Sequence, residues 1–365
     1  MNVAIIGFGV VGSGAYDTIR DGKTDLTVKK ILDLAIRPGY EDVMTTDYNE
    51  ILTDPTIAVV AESIGGLHPA RELVLSALNA GKHVVTANKL LMATCYRELM
   101  EAAAYNGVVI RFTPSAGGGI PWLSSLRRTA RAGSINKIEG ILNGTTNFIL
   151  DKMARENADF AETLAEAQAL GYAEKDPSSD IDGLDVRYKV ALSCNVATGL
   201  TASPEFIPAF GIRHIRKCDF EWMQKQGKTC KLLGNYRLNP DGTVALFVQP
   251  AVLRTDTLFA SVQKNFNLVS LQGDRVGELS FYGQGAGKDP TGFALVQDML
   301  DISEHSPEGT YEYKPAVVDN TKAVFAYYVR TPDGAVTVTE AMSVADMTAY
   351  AATLPAQTFI AAIYE

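Results

Sequence analysis

Between residues 171 and 189 the chain reads Gly-Tyr-Ala-Glu-Lys-Asp-Pro-Ser-Ser-Asp-Ile-Asp-Gly-Leu-Asp-Val-Arg-Tyr-Lys. Glu174, Asp176, Asp180, Asp182 and Asp185 stand there close to Lys175 and Lys189. Pro177 and Gly183 break the first part into a loop, and a helical pattern resumes near Leu184. Asp185 and Lys189 then lie one turn apart on the same helix face. A helix N-terminus with an acidic first turn and a solvated ion pair would give this pattern. So would a site in which a lysine exchanges a proton with a substrate oxygen while carboxylates hold the substrate's cationic end. The first hundred residues decide for the second.

Residues 3–6, Val-Ala-Ile-Ile, are a short, wholly apolar run, as a buried parallel strand is. Gly7-Phe-Gly-Val-Val-Gly12 follows, and a helical pattern covers residues 13–20. Glycines at this spacing, between a strand and a helix, let a pyrophosphate approach the backbone and meet the helix N-terminus. Gly7, Phe8, Gly9, Val11 and Gly12 are therefore the expected dinucleotide contacts. A second strand is predicted over 27–36, with Asp33 inside it and Arg37 at its end. An arginine there can clamp a 2′-phosphate, which favours NADP over NAD. Strands over 57–62, 82–86 and 108–112 alternate with helices over 69–80 and 95–106. This is the pattern of an α/β, Rossmann-type, doubly wound parallel sheet. Ligands of such sheets sit beyond the carboxyl ends of the strands. Thr86 and Lys89 are at such an end, where an unpaired buried ammonium would be costly, so Lys89 is expected to face nicotinamide or substrate.

The 365 residues, 47% hydrophobic and 21% charged, suffice for two domains with cores. A net charge of −9 argues against a nucleic-acid or anionic-membrane surface. No apolar run reaches the length of a membrane span, and the start of the chain lacks the basic region of a signal peptide. The 4 Cys show no CxxC spacing and the 4 His no paired spacing. A reduced, cytoplasmic, zinc-free protein is expected. Further along, helices are predicted over 160–170, 187–198, 220–231 and 291–300. Antiparallel strands are predicted over 231–236, 243–250 and 278–282. The tail reads as strand 323–330, turn, strand 335–339, helix 343–354 and strand 358–364.

These residues carry a resemblance to the homoserine dehydrogenase family. Its pieces are GFGVVG at 7–12, ESIGG at 62–66, TANK at 86–89, GGGIP at 117–121 and NGTTNFIL at 143–150. GYAEKDP at 171–177, D-x-x-GLDVRYK at 180–189 and YGQGAGKDPT at 282–291 complete the set, in family order. The resemblance implies a nucleotide-binding domain over 1–130, to which the helix near 290–302 returns. It also implies an α/β substrate-binding and dimerisation domain over 131–320. The tail, 321–365, would be a short βαβ-like extension or a partial ACT-like layer. The implied reaction is reversible hydride transfer, with NADP or NAD, between L-aspartate 4-semialdehyde and L-homoserine. That step serves threonine and methionine biosynthesis, and the enzyme would be a homodimer or larger.

By resemblance, Lys189 is the proton donor and Lys89 polarises the carbonyl. Glu174 binds the substrate ammonium, Asp180 and Asp185 position substrate and lysine, and Thr145 lines the pocket. Gly285 to Gly287 approach the cofactor. Three departures stand out. Thr113 occupies a position where family members often carry a Glu that supports a monovalent cation near the backbone of Ala116, Gly118 and Ile120, so no metal site is expected with that support. Gln284, Lys288 and Asp289 replace a proline and a small residue. Ser179 replaces a second acid. Two other readings stay open: a related enzyme for another small oxo amino acid, and a non-catalytic NAD(P)-binding sensor.

Overall fold

The computed structural model describes residues 1–305 and 313–364. The chain forms two units, Met1–Arg128 with Gln284–Tyr313 and Thr129–Gly283 with Lys314–Glu365. In chain order the elements up to residue 130 are β1 (Asn2–Ile6), α1 (Val10–Asp21), β2 (Thr27–Leu32), β3 (Met44–Thr45), α2 (Asn49–Leu52), β4 (Ile57–Glu62), α3 (Ala70–Asn79), β5 (His83–Thr86), α4 (Lys89–Tyr105), β6 (Ile110–Arg111) and α5 (Trp122–Ala130). There follow β7 (Ile135–Ile141), α6 (Gly144–Glu156), α7 (Phe160–Ala169), α8 (Ser178–Ile181), α9 (Leu184–Thr198), α10 (Lys217–Gln224), β8 (Lys228–Leu238), β9 (Val244–Arg254), β10 (Phe266–Gly273), β11 (Gly277–Gln284) and α11 (Lys288–Ser303). The tail holds β12 (Val324–Arg330), β13 (Val336–Val338), β14 (Met342–Ser343), α12 (Val344–Ala351) and β15 (Phe359–Ile363).

The first unit is a parallel sheet of 6 strands in the order β3-β2-β1-β4-β5-β6. Parallel neighbours require crossover helices, which cover both faces. Accordingly Val3, Ala4, Ile5 and Ile6 are fully buried. The second strand is shorter than its sequence suggests. β2 stops at Leu32, so Asp33 is the first residue past the strand and not a residue inside it. Its carboxylate turns the chain, accepting N–H bonds from Leu34 at 2.8 Å and Phe8 at 3.1 Å. Leu34 and Ile36, which prolonged the apolar pattern, are exposed. α4 starts at Lys89, not at residue 95, because the Asn88 side chain caps it by accepting from Leu91 N–H at 3.0 Å.

The second unit is built on a sheet of 9 strands, in the order β11-β10-β7-β8-β9-β15-β12-β13, with β14 paired to β12. β8 and β9 pair antiparallel along their whole length. A helix expected over 220–231 is in fact α10 followed by β8. Gly227 has φ +66°, which ends the helical run, and pairing with β9 takes the chain from Lys228 onward. The strand, turn, strand, helix, strand order of the tail is present. β15 lies parallel to β9 and antiparallel to β12, so the tail's strands belong to the main sheet. α9 presses directly on β8 at Gly234, where an added Cβ would lie 2.6 Å from Val190 and 2.8 Å from Val186. Only glycine allows that approach, and it fixes the helix that carries Lys189. Among the described residues no helix is long and apolar enough to cross a membrane.

Candidate active site

The glycine turn of the first unit is as tight as its spacing requires. A Cβ on Gly12 would stand 2.0 Å from the Gly7 carbonyl oxygen, so only glycine lets α1 begin against the strand end. Phe8 N–H donates to Asp33, whose carboxylate also pairs with Arg37 at 3.1 Å. The Arg37 guanidinium lies 5.1 Å from the centre of the Phe8 ring, within cation–π range. The strand end thus offers a carboxylate and a guanidinium together.

Glu62 organises the next strand ends. It is fully buried at the end of β4 and accepts N–H bonds from Ile64 at 2.8 Å and Gly65 at 3.1 Å. Its other oxygen accepts from the Thr86 hydroxyl at 2.5 Å. Burial pushes its carboxyl above the ordinary value, against these bonds. Thr86 Oγ1 in turn accepts from Asn88 N–H at 2.9 Å, and Asn88 donates to the Gly66 carbonyl at 2.6 Å. The network sets the start of α4 and hence half-buried Lys89. Sequence reading picked out Thr86 and Lys89 but not Glu62. Its one signal was an acid placed at the last position of an apolar strand.

The late loop packs within the same unit. Gln284 carbonyl accepts from Gly119 N–H at 3.2 Å, and a Cβ on Gly118 would meet the Gly285 carbonyl oxygen at 2.4 Å. Lys288, a departure from the family pattern, pairs with Asp17 of α1 at 2.7 Å, which raises its pKa. Thr113 N–H donates to Asp298 of α11 at 2.8 Å, and the Ile120 carbonyl accepts from Trp122 N–H at 2.6 Å. The residues present therefore do not fit a carboxylate-anchored cation at that turn: Thr113 brings no carboxylate, and its N–H is bonded to that of Asp298. Among the described residues no cluster of three or more His, Cys, Asp or Glu is placed to hold a metal ion.

Asp298 carries a testable pH dependence. Burial pushes its carboxyl up to about 6, with the Thr113 bonds and the Arg127 and Arg111 charges pulling the other way. A raised pKa means that the native state prefers the proton. Its stabilising contribution is full below the ordinary value of 3.8 and is lost as pH rises through about 6. The difference amounts to about 3 kcal/mol at roughly 1.4 kcal/mol per pH unit. Asp298→Asn keeps an acceptor for Thr113 N–H and cannot titrate. Melting curves from pH 4.5 to 8 are expected to show the wild type falling behind this variant as pH rises. Parallel curves would refute the assignment.

In the second unit the structure joins three of the expected residues, Asp180, Asp185 and Lys189. Asp185 and Lys189 are 4% and 8% exposed, so they are not a solvated surface pair. Lys189 Nζ donates to Asp185 Oδ2 at 2.7 Å and to the Leu142 carbonyl at 2.6 Å. Asn143 donates to Asp180 at 2.7 Å and to Asp185 at 2.8 Å. Thr145 Oγ1 donates to the Tyr172 carbonyl at 2.5 Å. Glu174 is exposed, and its backbone carbonyl accepts from Gln168 at 2.9 Å. The other acids of the stretch have local duties: Asp182 pairs with Arg213 at 2.7 Å, and Asp176 accepts from Ser178 N–H at 3.1 Å. Asn143 was not singled out from sequence, although it opens the NGTTNFIL motif.

A glycine-turn dinucleotide fold in a chain that also buries a lysine–aspartate pair defines a pyridine-nucleotide oxidoreductase. The match is more specific than that class. Residues 7–113 match the family described as homoserine dehydrogenase, NAD binding domain, and residues 121–300 that described as homoserine dehydrogenase. The chain belongs to the homoserine dehydrogenase family. It is 38% identical to homoserine dehydrogenase of Synechocystis over 83% of this chain and 73% of that one. Against the enzyme of Lactococcus lactis the figures are 35%, 91% and 83%. A crystal structure of a homoserine dehydrogenase from Thiobacillus denitrificans superposes with TM-score 0.88 at 29% identity, over 100% of this chain and 98% of that one. A hyperthermophilic archaeal homoserine dehydrogenase solved in complex with NADPH gives TM-score 0.71 at 26% identity, over 84% of this chain and 98% of that one. The chain is thus an NAD(P)-dependent oxidoreductase interconverting L-aspartate 4-semialdehyde and L-homoserine, the family's step toward threonine and methionine.

Proposed function

We propose that Lys189 delivers the proton in this reaction. The observation that supports the role is its burial with two acceptors, Asp185 and the Leu142 carbonyl, which hold the ammonium in one place. When bound, the nicotinamide supplies the hydride. The carbonyl oxygen gains negative charge as hydride arrives, and a fixed ammonium stabilises that charge and then gives up a proton. Asp185 compensates the lysine while it is charged. Lys89 polarises the carbonyl, Thr145 and Asp180 line the substrate position, and Glu174 takes the substrate ammonium. NAD(P)H consumption with L-aspartate 4-semialdehyde, run beside a panel of other small aldehydes and oxo acids, tests the reading. Preference for another oxo amino acid would move the substrate to the related reading, and reduction of none would overturn it.

Cofactor choice is proposed to rest on Asp33 and Arg37 together. A carboxylate at the strand end suits two free ribose hydroxyls, and a guanidinium suits a 2′-phosphate. Arg37→Ala is expected to weaken NADP by roughly 10–100-fold, as loss of a charged hydrogen bond does, and to leave NAD nearly unchanged. Asp33→Asn, which retains an acceptor for Phe8 N–H, should weaken NAD and spare NADP. Fluorescence titration of NADH and NADPH reads both, and equal loss of the two cofactors in either variant would sink the assignment. The enzyme is proposed to work as a homodimer or larger, which sedimentation at micromolar concentration checks.

A further inference from the structure

We infer that Asn143 is a positioning residue for proton transfer: one buried amide holds Asp180 and Asp185 side by side and so fixes the carboxylate that aims Lys189. The inference rests on the reading of Lys189 as proton donor. A side-chain amide has two N–H donors and one carbonyl acceptor, and here each has a defined partner. The donors go to Asp180 Oδ1 at 2.7 Å and Asp185 Oδ2 at 2.8 Å. The carbonyl accepts from Thr146 N–H at 2.8 Å, which caps α6. That cap leaves no choice of amide orientation, because a carbonyl turned the other way would face two carboxylates. The NH₂ must therefore point at the acids.

Two consequences follow for the lysine. Asp185 Oδ2 receives both the Asn143 amide and the Lys189 ammonium, the latter at 2.7 Å, so the amide holds the oxygen that aligns the lysine. The neighbouring Leu142 carbonyl is the lysine's second acceptor at 2.6 Å. Two consecutive residues, Leu142 and Asn143, therefore bear on the Leu142 and Asp185 contacts of Nζ. Without the bridge, two carboxylates would lie close with less to offset their repulsion. Asn143 is 5% exposed, and nothing in this role requires it to touch substrate.

Two substitutions separate the bridge from the helix cap. Asn143→Ser keeps a good capping residue but is too short to reach either acid. Asn143→Asp keeps cap and size but replaces the donor by a third carboxylate. Asn143→Ser is expected to retain the wild-type melting temperature within a few degrees, Asn143→Asp to melt lower because it buries a third carboxylate, and both to keep NAD(P)H affinity. kcat for semialdehyde reduction should fall about 10–100-fold in each, the scale of loss when a reacting group is misplaced by an ångström or less. The pH profiles of kcat should move in opposite directions. A lost orienter weakens support for the lysine proton, so the alkaline limb moves down in Asn143→Ser. An added negative charge strengthens it, so the limb moves up in Asn143→Asp. A merely structural asparagine would lower activity and stability together and leave both limbs in place, and that result overturns the inference. So does wild-type kcat in both variants. Lys189→Ala, run alongside, distinguishes the two levels: its retention of activity defeats the proton-donor reading, whereas its loss beside active Asn143 variants defeats only the role of the amide.

Discussion

Lys189→Ala is expected to lower kcat for semialdehyde reduction by about 10²–10⁴, the range for loss of a positioned general acid. Cofactor affinity should hold, because the glycine turn and its strand ends lie in the first unit. Alanine also removes one partner of a buried pair, which can cost about 3–5 kcal/mol. Asp185 keeps the Asn143 amide at 2.8 Å, so the loss should fall at the lower end. Lys189→Arg separates charge from proton. A guanidinium preserves a cation beside Asp185, but its pKa is too high for it to give up a proton. If the lysine served only as a fixed charge, arginine would restore much of the rate. If it delivers the proton, arginine should leave kcat close to that of the alanine variant. Asp185→Asn should lose less than either, since it removes the orienter and keeps the donor. Wild-type turnover in Lys189→Arg, measured on folded protein at saturating substrate, would overturn the mechanism.

What could be read from the sequence was what local spacing encodes. Asp185 and Lys189 are one helical turn apart, so their meeting needed no knowledge of the fold. The glycine turn was equally local, lying between an apolar strand and a helix. Other features join residues distant in the chain. Glu62 meets Thr86 because parallel strands bring their carboxyl ends together, 24 residues apart. Asn143 reaches Asp180 and Asp185 across separations of 37 and 42 residues, so its role lay hidden in a motif recognised only as a string. Asp33 was misplaced because apolar Leu34 and Ile36 continued the strand pattern while their side chains face solvent. Periodicity reports hydrophobicity and not the carboxylate that turns the chain. The membership of β15 and β12 in the main sheet is likewise a pairing fact that no local pattern contains.

The largest loss of stability is expected at Arg330, on the strand that brings the tail into that sheet. Arg330 and Asp219 are both fully buried. The guanidinium grips the carboxylate twice, Nε to Oδ1 at 2.6 Å and Nη2 to Oδ2 at 3.1 Å, and Nη2 also donates to the His214 carbonyl. Tyr328 donates its hydroxyl to Asp219 at 2.7 Å, and Asp219 accepts from Arg216 N–H at 2.7 Å as part of the cap of α10. One carboxylate thus ties β12 to α10, and the arginine balances its charge. Arg330→Met keeps volume but leaves that charge buried without its cation, an expected loss of about 3–5 kcal/mol. For a chain of 365 residues, at roughly 2.1 cal/mol/K of unfolding entropy per residue, that lowers the melting temperature by about 4–7 °C. Adding Asp219→Asn should recover a large part, because the stranded charge and not the missing bond is the main cost. The effect should hardly change with salt, since the pair is buried beyond reach of counterions. Urea unfolding of the single and double variants at low and high ionic strength reads all three statements. A loss under about 1 kcal/mol, the scale of an exposed pair, would show that the tail is not held by this contact.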